Sequence, residues 1–171
     1  MDDKIIDFHS VYNKYFDDVY RFSFWLSGSA SEAEDITSET FTRAWVVSGE
    51  LRASSLKAYL FTIARNLFLK QHRKNRRLQS IEDTLVDSQP GPHEIIESRL
   101  ELETTLRALQ QLPDVDRTVL VLRSQSGLSY EEIAQLTELS ISAVKVKIHR
   151  ARLKISLYKS KMEDSKNESN K

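Results

Sequence analysis

The stretch LSYEEIAQLTELSISAVKVKIHRARLKI, residues 128–155, decides the fold. Ser129 precedes a short helical pattern from Tyr130 to about Thr137, Glu138, Leu139 and Ser140 form a turn, and a longer pattern runs from Ile141 to about Tyr158. A short and a long helix joined by so tight a turn make a helix-turn-helix, whose second member can enter a DNA major groove. On that member Ile141, Val144, Ile148, Ala151 and Ile155 form an inner stripe, while Ser142, Lys145, Val146, His149 and Arg150 point the other way. The outer face offers long donors for phosphates and base edges plus one apolar contact, and Lys147 joins the duplex-binding set. The alternative is a solvated amphipathic helix. Against it, residues 139–161 hold seven cations and no acid, which repel one another unless a polyanion is present.

Composition extends the helical reading to the whole chain. In 171 residues there are only four glycines and three prolines, too few turn residues for a sandwich or barrel, so an all-α protein is expected. No cysteine is present, which excludes disulfide frameworks, zinc fingers and thiol catalysis. The start, MDDKIIDFHS, is acidic without an apolar signal core, and no long apolar run follows, so a cytoplasmic protein is expected. The net charge of zero conceals segregation. Residues 1–50 carry four cations against ten acids, residues 51–80 carry eight cations and no acid, and residues 81–104 carry one cation against seven acids. A mixed solvated surface would not sort charge this way; two acid-free blocks point to polyanion contact.

Two small helical domains follow from the patterning. Phe8, Val11, Tyr12, Tyr15, Phe16, Val19, Tyr20, Phe22 and Trp25 recur at helical spacing, SGSAS at 27–31 breaks the pattern, and Ser31 with Glu34 reads as a capping box opening a helix to about Val47. Residues 58–77, AYLFTIARNLFLKQHRKNRR, form a helix with Leu60, Ile63, Ala64 and Leu67 inward and Phe61, Arg65, Phe68 and His72 on another face. Aromatic residues at that spacing are more often core than base-stacking platforms. Residues 79–98, polar and acidic around Pro90-Gly91-Pro92, read as a flexible linker. The expected division is therefore 1–78, a linker at 79–98, a second domain at 99–160 and a disordered tail at 161–171. In the second domain Leu100, Leu102, Leu106, Leu109 and Leu112 pattern a helix up to Pro113, and residues 115–124 supply another.

The run at 128–155 closely resembles the C-terminal promoter-reading region of bacterial sigma factors, and SEAEDITSETFTRAW with AYLFTIARN resembles their N-terminal conserved region. The order, with an acidic linker between and nothing extra, resembles the extracytoplasmic-function (ECF) subgroup over residues 8–158. The resemblance implies an initiation factor that binds core RNA polymerase, directs it to promoters and helps open the DNA. It implies that Glu34, Asp35, Ser38, Glu39 and Phe41 dock on the coiled coil of the polymerase clamp. It assigns the loop Glu50 to Ser55, with Ser54 and Ser55, and Asn66 to capture of a base flipped from the non-template strand of the minus-ten element. Arg65, Lys70, Arg73, Lys74, Arg76 and Arg77 would then neutralise opened-strand phosphates, which suits the several kcal/mol that unstacking costs. Leu109, Leu112, Arg117, Leu120 and Leu122 match helices that support the helix-turn-helix and face the polymerase flap, and the outer face would read the minus-thirty-five element. Many relatives are silenced by a membrane-bound antagonist, so an anti-sigma factor is a further implied partner; on polymerase the chain would be a monomer.

Departures from the family pattern carry expectations too. Glu138 stands where relatives often place glycine in the turn; a left-handed conformation there costs on the order of 1 kcal/mol. Ser38 replaces a usual glutamine and Lys147 a common arginine. The histidines, at positions 9, 72, 93 and 149, share no ligand spacing, and no phosphate-cradling loop or nucleophile motif appears. No metal, cofactor, small-molecule substrate or catalysis by this chain is expected. Two rival classes remain, a free-standing helix-turn-helix regulator and an adaptor binding an acidic protein.

Overall fold

The computed structural model describes residues 7–47, 56–78 and 93–169, with side chains described over 7–46, 56–75 and 99–165. These residues form seven helices: α1 (Phe8–Ser27), α2 (Ala30–Val47), α3 (Leu56–Leu78), α4 (His93–Gln110), α5 (Asp114–Ser124), α6 (Tyr130–Thr137) and α7 (Ile141–Ser169). Among the described residues no helix is long and apolar enough to cross a membrane.

Helices α1, α2 and α3 pack on one another as one group, and α4, α5, α6 and α7 as a second. Phe22, Leu26, Ile36, Leu60, Phe61 and Ala64 are fully or almost fully buried in the first group, and Val119, Leu122, Ile133, Val144 and Ala151 in the second. The Phe22 and Phe61 rings meet edge to face with centroids 5.0 Å apart, so Phe61 is a core residue and no stacking platform. Polar groups inside this core are satisfied by their own helix: Ser23, Thr37 and Thr40 donate to the carbonyls of Val19, Ala33 and Ile36 at 2.8, 2.6 and 2.7 Å.

The helix ends follow from single residues. Asp7 caps α1 by accepting from the His9 and Ser10 amides, both at 3.2 Å. Gly28, with φ of 73°, ends it in the left-handed conformation. The start of α2 corrects the sequence reading, because Ser29 and not Ser31 accepts the Glu32 amide at 3.3 Å, and the helix opens two residues earlier than expected. Helix α4 begins at His93, immediately after Pro92, so the linker expected through residue 98 is shorter at its C-terminal side. The tail expected to be disordered continues α7 to Ser169. No glycine or proline interrupts residues 141–169, and Ser165 donates to the Lys161 carbonyl at 2.9 Å inside that extension.

The two groups touch. Helix α1 packs on α4 and α5, and α3 packs on α6. Trp25 of α1 forms one wall of an open groove whose other apolar walls are Leu109, Leu120, Val121 and Ile155.

Candidate nucleic-acid and polymerase interface

The helix-turn-helix is built by caps. Ser129 accepts the Glu132 amide at 3.1 Å while the Glu132 carboxylate accepts the Ser129 amide at 2.7 Å, a reciprocal capping box that starts α6. The Ser129 amide, donating to that carboxylate, holds Glu132 below its ordinary value. Glu138 ends α6 at φ 58° and ψ 34°, in the left-handed conformation, without a glycine to ease it. The Leu139 amide reaches back to the Ala134 carbonyl at 3.0 Å, and Ser140 then caps α7 by accepting the Ala143 amide at 3.1 Å. Three residues therefore reverse the chain between α6 and α7.

On α7, Val144, Ile148 and Ala151 are buried and Ile155 is half-buried, as the inner stripe requires. Ile141, expected in that stripe, is 39% exposed at the first position of α7. Ser142, Lys145, Val146, His149 and Arg150 are all exposed. Lys147 departs from the set. Its ammonium lies 2.9 Å from the carboxylate of buried Asp116 on α5, so it points into the domain and is committed to an ion pair. Tyr130, which the pattern did not single out, holds two cations at its ring: Arg123 at 4.7 Å and Lys145 at 5.3 Å from the centroid.

Helix α3 carries the second basic surface. Asn66, Lys70, Arg73 and Lys74 are exposed and Arg65 is half-buried, its Nη1 donating to the Asn66 side-chain oxygen and to the Leu136 carbonyl, each at 3.4 Å. The side chains of Arg76 and Arg77, and Ser54 and Ser55 with the rest of the 50–55 loop, lie outside the described residues. Phe68 is buried like Phe61.

On α2, Glu34, Asp35, Ser38 and Glu39 share an exposed face, the spacing of one and four keeping them together. Glu39 pairs with Arg43 at 2.7 Å. Phe41 is a correction: at 3% exposure it packs against the rings of Phe8, Tyr12 and Phe16 and offers no docking surface. Trp45, 60% exposed and edge-on to Phe8 at 4.5 Å, is the large aromatic that α2 does present. Leu109, Leu112, Leu120 and Leu122 are buried, Leu109 and Leu120 lining the groove beside Trp25. Among the described residues no group of histidine and carboxylate side chains could hold a metal ion.

The fold and the outer face of α7 define a two-part helical protein that reads DNA with a helix-turn-helix. Comparison with known proteins makes this specific. Residues 11–78 match the family model of sigma-70 region 2, and residues 102–155 that of sigma-70 region 4. The chain is 38% identical over 142 residues to the ECF RNA polymerase sigma factor EcfG of Rhodopseudomonas palustris, covering 79% of this chain and 75% of that one. It is 31% identical over 152 residues to the ECF sigma factor SigM of Bacillus subtilis, covering 85% and 90%. The sigma factor RpoE of Bartonella quintana, solved in complex with the anti-sigma factor NepR, superposes with a TM-score of 0.75 at 30% identity, covering 90% of this chain and 97% of that one. The chain belongs to the ECF family of RNA polymerase sigma factors, the subunits that give the polymerase its choice of promoter.

Proposed function

We propose that this sigma factor divides promoter recognition between its two basic surfaces. The outer face of α7 reads the minus-thirty-five element as duplex, while Asn66 and the cations of α3 take up the opened strand of the minus-ten element. The observation that carries this reading is the row of exposed residues Ser142, Lys145, Val146, His149 and Arg150, free of acids and set on a helix whose opposite face is locked into the core. Opening costs several kcal/mol, and Lys70, Arg73 and Lys74 offset it at the phosphates while Asn66 can both donate to and accept from a base edge.

The acidic face of Glu34, Asp35, Ser38 and Glu39 binds the clamp coiled coil of core polymerase, opposite charge meeting opposite charge. The flap takes the groove lined by Leu109 and Leu120. The neighbouring structure with NepR supports an anti-sigma factor as a second protein partner. The chain itself carries out no chemistry; polymerisation belongs to the core enzyme.

Run-off transcription on genomic fragments, with core polymerase and with or without this protein, tests the reading. New discrete start sites only in its presence are expected. Specific footprints by the protein alone, without polymerase-dependent starts, would overturn it in favour of a free-standing regulator.

A further inference from the structure

One apolar side chain stands on the outer face of α7 among polar ones. Val146 is 47% exposed, with Ser142, His149 and Arg150 exposed around it, while Val144, Ile148 and Ala151 on the opposite side are buried. Its neighbours in the chain leave it uncovered. Successive helical positions turn by about 100°, so Lys145 and Lys147 leave the helix on opposite flanks of Val146. The Lys145 ammonium lies 5.3 Å from the centre of the Tyr130 ring of α6, which also holds Arg123 at 4.7 Å. The Lys147 ammonium lies 2.9 Å from the Asp116 carboxylate of α5. A helical side chain leans over the turn that precedes it, here the turn of Ser142 and Ala143, whose side chains are short. The isopropyl group of Val146 therefore forms a crest between two lysines that are held away from it.

Position along the helix gives that crest its meaning. Val146 is the sixth residue of α7, within the N-terminal turns by which a recognition helix meets base edges. Leu153 and Leu157 are also exposed, at 55% each, but they lie about 11 and 17 Å further along the axis, beyond those turns. An isopropyl group neither donates nor accepts a hydrogen bond. In the major groove guanine, cytosine and adenine are told apart by hydrogen-bonding groups, and thymine alone adds an apolar one, its C5 methyl. Against thymine, Val146 buries methyl on methyl; against the other three bases it strips water from a donor or acceptor and returns nothing. One side chain thus favours the right base and penalises the wrong ones. A valine that met only water would do neither; the difference lies in Ser142, His149 and Arg150 around it, the set assigned above to the duplex.

We infer that Val146 selects a thymine in the minus-thirty-five element by contact with its C5 methyl group. This rests on the assignment of the α7 outer face to that element, proposed above. Sequence choice at one base pair then belongs to Val146, and replacing it changes which base is preferred there.

Holoenzyme assembled from core polymerase and the full chain is used to select promoters from a pool randomised across the minus-thirty-five window, with run-off RNA as the readout. Wild type should select thymine, on one strand or the other, at a base pair where Val146→Ser holoenzyme does not, with preferences elsewhere unchanged. In the selected promoter each thymine is then replaced singly by deoxyuridine, which keeps every hydrogen-bonding group and lacks only the methyl. At that base pair the exchange should weaken wild-type holoenzyme binding by about threefold to fivefold, the loss of one buried methyl, and leave Val146→Ser within about 1.5-fold. The same base preferences with and without Val146, deoxyuridine tolerated at every thymine, or a deoxyuridine loss that persists in Val146→Ser would each overturn the inference. The deoxyuridine scan needs only wild type, and so decides the matter even where Val146→Ser assembles poorly with polymerase. A pool from which no promoter is selected would sink the functional reading and this assignment with it. Selection that responds to Arg150→Ala but not to Val146→Ser would leave that reading standing and remove Val146 alone.

Discussion

Glu138 shows what a single backbone conformation costs. At φ 58° its Cβ crowds the following carbonyl, a penalty of about 1–2 kcal/mol that glycine would avoid, less the extra entropy glycine loses on folding. Glu138→Gly is therefore expected to stabilise the protein by about 0.5–1 kcal/mol, raising the melting temperature by roughly 2 °C for a chain of this size. A fall in melting temperature, followed by circular dichroism, would show that the turn relies on the glutamate itself. Lys147 makes the opposite point, a cation whose sequence position suggested DNA and whose geometry assigns it to Asp116. Lys145→Ala and Arg150→Ala should each weaken duplex binding and lower the slope of log affinity against log salt by about one. Lys147→Ala should change that slope by less than about half as much, while leaving buried Asp116 without its cation and lowering stability by about 1 kcal/mol or more. Equal slopes for all three variants, measured by fluorescence anisotropy over a salt series, would return Lys147 to the DNA-binding set.

Helix α6 is only eight residues long, too short to be stable by propensity, so its caps and its packing on α5 and α7 decide whether it forms. Ser129→Ala should cost about 1 kcal/mol, or roughly 2–4 °C, by removing one half of the capping box. The other half is pH-dependent. Because the Ser129 amide lowers Glu132 in the folded protein, its contribution is complete above the ordinary value of 4.5 and is lost as pH falls through the lower folded value. Melting temperatures from neutral pH to below 4.5 should therefore fall less steeply for Glu132→Gln than for the wild type, and parallel curves would remove the carboxylate from the account. The same capping logic sets how much was legible from residues alone. Helix α6, its turn and the inner stripe of α7 apart from Ile141 were readable because Ser129 and the three-and-four spacing are local signals. Ser29 was not told from Ser31 because both precede an acid at a plausible distance, and only the observed amide chooses between them. Phe41 could not be told from a docking residue because its burial depends on Phe8 and Tyr12 of another helix. The contacts of Lys147 with Asp116 and of Arg117 with the Leu26 carbonyl were not legible for the same reason: those partners lie 31 and 91 positions away.

At the scale of the whole molecule, zero net charge is the sum of segregated surfaces, an acidic face on α2, one basic surface on α3 and another on α7, to which the proposed function gives separate tasks. Charge that merely raised general affinity for DNA would be interchangeable between helices, whereas charge divided by task is not. Lys70, Arg73 and Lys74 are exposed on α3, a different helix from the one that carries the Ser142 to Arg150 face, so removing them should spare duplex recognition. The triple variant Lys70→Ala, Arg73→Ala, Lys74→Ala is expected to bind an isolated minus-thirty-five duplex within about twofold of wild type and with the same salt slope. On a double-stranded promoter with core polymerase its run-off yield should fall by about tenfold or more, because three phosphate contacts that offset unstacking are gone. On a template mismatched through the minus-ten region the unstacking cost has already been met, so most of the deficit should vanish. If the triple variant lost duplex affinity as steeply as Arg150→Ala does, or stayed equally impaired on duplex and mismatched templates, the α3 cations would be serving general attraction and not strand opening.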